Sequence, residues 1–105
     1  MNNSIEDDSM SDQLDISTHD TICHISTNLI REVSGEIDLK KITILDLHLR
    51  NPDKGKIRKI EGLDNLLNLK LLNLSYNAII VMEGLNNLHN IIELNLAENG
   101  LRKVL

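Results

Sequence analysis

Two groups of residues carry side chains that could do chemistry. His19, Cys23 and His24 put two imidazoles and a thiol within six residues, the ligand types that hold zinc. A zinc site needs a fourth ligand, and its ligands recur at short fixed spacings. Neither accompanies this cluster, so we read it as chance and expect no metal. Asp46 and His48 alternate along "ILDLH" and would share one strand face, where a carboxylate could orient an imidazole as a general base. A base needs a nucleophile or held water in a site that excludes solvent, and the chain has neither a nucleophile motif nor a phosphate-binding glycine loop. No catalytic residue and no cofactor is therefore expected, and the chain reads as non-enzymatic.

The bulk numbers narrow the class. With 105 residues and 1% aromatic content, the chain builds at most one small domain around an aliphatic core, without a base-stacking platform. The lone Cys23 cannot form an internal disulfide, and no run of about 20 apolar residues or signal-like apolar core is present, so a cytoplasmic chain with no membrane partner is expected. The net charge of −5 is unevenly placed: residues 1–20 hold Glu6, Asp7, Asp8, Asp12, Asp15 and Asp20 with no Lys or Arg, leaving the remainder nearly neutral. Such a polar, acidic stretch buries too little apolar surface to offset chain entropy, and residues 1–24 read as a disordered acidic tail. A net-acidic chain is a poor nucleic-acid binder, and no nucleic-acid partner is expected.

What must position any site lies downstream. In "HISTNLIREVSG", Ile25, Leu29, Ile30 and Val33 fall on one helical face, Ser26 can cap the helix and Gly35 can end it, which predicts a helical cap over residues 25–36. Beyond it the apolar residues recur as L-x-x-L-x-x-L-x-L: Leu39, Ile42, Leu45, Leu47; then Leu66, Leu69, Leu72, Leu74; then Leu88, Ile91, Leu94, Leu96. Asn77 and Asn99 repeat at a shift of 22, as do the Glu-Gly-Leu triplets at Glu61 and Glu83. A pair two apart is strand-like, and spacings of three suit a tight helical or 3₁₀ turn, so each repeat predicts a short strand and a compact return. A period of this length is the signature of a solenoid, whose coils cannot bury their apolar faces alone. The first coil is longer by five residues between Leu47 and Ile57, where "RNPDKGK" reads as a basic surface turn.

These coils resemble the leucine-rich repeat family, in the 22-residue class first associated with a regulatory subunit of protein phosphatase 1. The opener "ISTNLI", the expanded first coil "LDLHLRNPDKGKIRKIEGL" and the following "LLNLSYN" are similar to the amino-terminal repeats of centrosomal and ciliary scaffolds of that class, over about residues 25–105. The resemblance implies an α/β leucine-rich repeat solenoid of three coils over residues 37–105, the last incomplete and uncapped. It also implies a partner-recruiting module at the centrosome or ciliary base, serving centrosome organisation and cell division. The alternative is a regulatory or targeting subunit that binds a phosphatase or similar enzyme.

Strand alternation selects the expected binding face. Ile44, Asp46 and His48 would lie beside Leu71, Asn73 and Ser75, and those beside Glu93 and Asn95, forming a concave grid for a protein partner. Ile44 and Leu71 would anchor it, since exposed adjacent aliphatics are what a partner desolvates. A second surface, Arg50, Lys54, Lys56, Arg58 and Lys59 at and after the first-coil turn, could attract acidic segments, including the chain's own tail. The uncapped third coil would expose an apolar edge, giving self-association as a further expectation.

Overall fold

The computed structural model describes residues 22–49 and 55–104. The acidic stretch ahead of Ile22, Arg50 and Lys54 of the basic turn, and Leu105 lie outside the described residues. The chain forms strand β1 (Ile22–Cys23), helix α1 (Thr27–Ser34), a 3₁₀ turn (Leu39–Lys41), and strands β2 (Ile44–Asp46), β3 (Lys56–Ile57), β4 (Leu71–Asn73), β5 (Val81–Met82), β6 (Glu93–Asn95) and β7 (Lys103–Val104).

Local chemistry accounts for these elements. Ser26 sits in an extended conformation ahead of α1, and its Oγ accepts the Leu29 N–H at 3.1 Å, which satisfies one of the orphan donors at the helix start. Gly35, left-handed at φ 73°, ends the helix by donating its N–H to the Arg31 carbonyl at 2.9 Å. Ile30 is fully buried, with Leu29 and Val33 packed on the core beside it. The leucines spaced by three ride on i→i+3 hydrogen bonds: Leu66 N–H to Leu63 O and Leu69 N–H to Leu66 O, matched by Leu88 N–H to Leu85 O and Ile91 N–H to Leu88 O. Three residues per turn eclipses these side chains, so every third leucine points the same way, into the core.

All strand pairs are parallel. The main sheet runs β2-β4-β6, pairing Ile44 with Leu71 and Leu71 with Glu93, Leu45 with Leu72 and Leu72 with Leu94, Asp46 with Asn73 and Asn73 with Asn95. Two further two-stranded sheets pair β1 with β3 and β5 with β7. A bond from the Ala78 N–H to the Ile57 carbonyl at 2.9 Å sets the chain leading into β5 beside β3. Ile22 and Cys23, which composition groups with a disordered acidic tail over residues 1–24, instead form a strand opposite Lys56 and Ile57 ahead of the helix. Two residues in an acidic context carry no periodicity of their own; the pairing comes from the exposed edge that β3 offers.

Two asparagines stitch the repeats. Asn77, 5% exposed, accepts the Ile57 N–H at 2.9 Å and donates to the carbonyls of Leu47 (3.0 Å), Leu74 (3.0 Å) and Ser75 (3.2 Å). Asn99 repeats the arrangement one repeat later, accepting from Ile79 N–H and donating to Leu74 O, Leu96 O and Ala97 O. Each side chain thus replaces the hydrogen bonds that the backbone forfeits on leaving the strand. Asn68 and Asn90 tie the return side in the same way, donating at 2.8 Å to Lys40 O and Leu67 O.

Burial falls from the first two repeats of the sequence to the third. Leu45 and Leu72 are wholly buried while their partner Leu94 is 36% exposed; Leu101 is 37% and Val104 73% exposed. The third repeat contributes one face to the core and leaves the other open.

Candidate interaction face

The sheet β2-β4-β6 buries its central leucines and turns its alternate residues outward. Ile44 is 60% exposed, Leu71 beside it is half-buried, and Glu93 completes that row, exposed. Asp46 and Asn73 are half-buried and Asn95 is exposed. The row holds a common turn: Asp46 Oδ1 accepts the His48 N–H, Asn73 Oδ1 the Ser75 N–H and Asn95 Oδ1 the Ala97 N–H, at 3.2, 3.0 and 3.0 Å. An Asp or Asn is what this bend needs, because a short side-chain oxygen reaches the N–H two residues on. These three side chains therefore shape the rim of the face as well as offering it polarity.

The row after it does not continue outward. His48 is half-buried and Ala97 exposed, but Ser75 between them is 4% exposed. Its carbonyl is shared by Asn77 Nδ2 and the Leu49 N–H, and its place is inside the turn. Alternation holds only while the backbone stays extended; β4 ends at Asn73, so Ser75 is carried under the bend and away from a partner's reach.

His48 Nδ1 lies 2.5 Å from Asp46 Oδ1. A carboxylate only accepts, so Nδ1 donates and Nε2 is left as the ring's free nitrogen. Cys23, Glu32, Asp46 and His48 line one cavity of about 260 Å³ between α1 and the first repeat, with Leu29, Val33 and Leu47 among its apolar walls. The structure therefore brings together Cys23 and the Asp46–His48 pair, which lie 23 or more positions apart in the chain and which sequence reading keeps separate. The signal that joins them is the β1–β3 pairing, and that has no mark in the sequence. His24 turns elsewhere, its Nδ1 3.4 Å from Glu61 Oε2 on the exposed surface, and His19 lies outside the described residues. Among the described residues no group of three or more His, Cys, Asp or Glu is arranged to hold a metal ion. No described helix is long and apolar enough to cross a membrane.

Of the basic residues singled out in the sequence, Lys56 lies on β3 and Arg58 and Lys59 follow it, all exposed; Arg50 and Lys54 fall outside the described residues. The structure adds two that sequence reading missed. Arg102 and Lys103 occupy the positions in the third repeat that Ile80 and Val81 hold in the second: the Ile80 carbonyl accepts from both Arg102 N–H and Lys103 N–H, and Val81 pairs with Lys103. The 22-residue offset carries the same correspondence back to Arg58 and Lys59, a signal that was present but was spent on the leucines. No protein-family model, curated protein or solved structure matches this chain.

Proposed function

We propose that the chain is a non-enzymatic protein-binding module, a short leucine-rich repeat solenoid, whose partner docks on the outward residues of β2, β4 and β6. The observation that carries this reading is the exposure of Ile44 beside Leu71 on adjacent strands, a small aliphatic anchor framed by the polar Asp46, Asn73 and Asn95. The resemblance of "ISTNLI", the expanded first coil and "LLNLSYN" to the amino-terminal repeats of centriolin, a centrosomal scaffold, supports a role in recruiting proteins at the centrosome or ciliary base. Microscopy of the tagged chain against a centrosomal marker tests the location. Enrichment at the centrosome or ciliary base is expected, and an even distribution through the cell counts against it.

The open edge of the third repeat supports a second expectation. With Leu94, Leu101 and Val104 at 36–73% exposure beside the last described strands, the 105-residue chain should self-associate as its concentration rises. Appending a further repeat with a polar cap after Leu105 should make it monomeric and raise its melting temperature. Sedimentation velocity on both chains checks this: a concentration-independent monomer from the 105-residue chain alone would rule it out.

A further inference from the structure

On the side of the molecule carrying β3, β5 and β7, cations and aliphatics form a pattern that the outward face of β2, β4 and β6 does not use. Arg58, Ile80 and Arg102 occupy equivalent positions in successive repeats, as do Lys59, Val81 and Lys103. Ile57 and Ile79, one position earlier, are buried at 3% and 0%, so this row turns outward: Arg58 and Arg102 are exposed, and Ile80 between them is 50% exposed. Lys56 adds a fifth cation at the start of β3. β7 pairs with β5 at the usual strand spacing of about 4.8 Å, and the Ala78 N–H to Ile57 carbonyl bond sets the chain entering β5 beside β3, so Ile80 lies between the two Arg-Lys pairs. Among the described residues, none of these five cations is in an ion pair. A frame of cations outside any ion pair, set around one exposed aliphatic, fits a short acidic segment bearing an apolar residue at its centre.

We propose that this surface is the docking site for the chain's own amino-terminal segment, centred on Leu14 between Asp12 and Asp15. Three observations select that occupant. Its charge is complementary: residues 1–20 carry six carboxylates and no Lys or Arg, and "DQLDI" sets Leu14 and Ile16 among acids. Its point of departure is adjacent: β1 runs parallel to β3 with Ile22 opposite Lys56, so the segment leaves the fold beside the first cation of the surface. Its length suffices: the eight residues from Leu14 to Ile22 span up to about 26–29 Å when extended, the width of about five paired strands, whereas only β3 separates β1 from the chain that leads to Ile80. Tethering raises the local concentration to the order of millimolar, so a contact too weak to hold a free peptide still populates the docked form. The docked segment would shield the basic surface from other acidic chains, and release would follow from any partner that binds the segment or outcompetes it.

The test uses the full chain and changes residues of the segment. Backbone amide and Ile80 methyl NMR signals are compared between the native chain and the D12K/L14S/D15K variant, at about 10 mM and about 500 mM salt, where the screening length falls from about 30 Å to about 4 Å. Docking predicts shift differences at Arg58, Lys59, Ile80, Arg102 and Lys103 at low salt, shrinking by more than about half at high salt, with the rest of the fold unmoved. No difference at these residues, or differences scattered over the surface, would overturn the proposal. A mixing arm separates the sources: isotope-labelled variant is combined with unlabelled native chain. If the native signals return on mixing, the segment docks on a second molecule and the intramolecular assignment fails. In a second variant, R102E/K103E, the differences at Arg58, Lys59 and Ile80 should also shrink by more than about half at low salt; their survival at full size would remove these cations from the site. The outcome is independent of the reading of the β2-β4-β6 face, which none of these substitutions touches.

Discussion

Replacing Asn77 with Ala lowers the unfolding free energy by about 2–5 kcal/mol, the largest loss expected from any polar substitution in the chain. The Ile57 N–H and the Leu47 carbonyl both rely on this side chain, and Ile57 is 3% exposed while Asn77 itself is 5% exposed, so water cannot readily take over. Each buried group left without its partner costs about 1–3 kcal/mol. A domain of this size has a total stability of about 4–12 kcal/mol, so the variant forfeits a large share of it and is expected to melt well below the native chain. Asn77→Asp should fare no better: it keeps an acceptor for Ile57 but turns a carboxylate toward the Leu47, Leu74 and Ser75 carbonyls. Asn99→Ala removes the same set one repeat later, where the site is half-buried, and should cost clearly less. Urea midpoints for the three variants check the ranking. Equal losses at Asn77 and Asn99 would mean that burial is not what sets the cost.

Gly84→Ala is the second large effect. Gly84 has φ 72°, a conformation that costs an L-residue about 1–2 kcal/mol. A Cβ there would also lie 2.4 Å from the Ile60 carbonyl oxygen, a backbone atom of the preceding repeat that cannot swing aside. Overpacking of this kind adds about 1–3 kcal/mol, for a combined loss of about 2–5 kcal/mol. Two other glycines separate the contributions. Gly62 has φ 73° with the Ile25 oxygen at 3.0 Å, and Gly35 has φ 73° with nothing within 4 Å. The expected order of destabilisation by Ala is therefore Gly84, then Gly62, then Gly35, the last carrying backbone strain alone. Thermal melts of the three variants decide it. A Gly35 variant as damaged as the Gly84 variant would show that approach between repeats is unimportant.

The register of this fold is legible in its leucines. Leu72 and Leu94 pair at the same offset of 22 that separates Asn77 from Asn99, and Leu45 pairs with Leu72 at 27, the offset that the five extra residues before Ile57 require. Spacing reads well here because each leucine answers to one geometric constraint, a strand's alternation or a 3₁₀ turn's period of three. Ser75 was legible only in part: alternation names its side, but the turn closed by Asn77 takes it inside. The β1 strand and the cavity shared by Cys23, Asp46 and His48 were not legible, because two residues set no period and their partners stand more than thirty positions away at Lys56 and Ile57. The basic surface fell between these cases. Arg102 and Lys103 sit on the repeat's own period, but charged residues repeat with the fold only where the backbone carries them, and their outward turn follows from the burial of Ile57 and Ile79.

The central claim is that Ile44 and Leu71 recruit the chain's partner. Its most direct test is imaging of the tagged native chain beside the I44D/L71D variant, with circular dichroism and thermal melts on both purified proteins. Ile44 is 60% exposed and Leu71 half-buried at the surface, so the folded state should tolerate the change. Desolvating each aliphatic against a partner contributes about 1–3 kcal/mol, so losing both should weaken binding by well over tenfold. The account predicts centrosomal or ciliary-base enrichment for the native chain and a diffuse variant that keeps the native spectrum and a cooperative melt, at a somewhat lower temperature because Leu71 is half-buried. Equal enrichment of the two, with both folded, would contradict it.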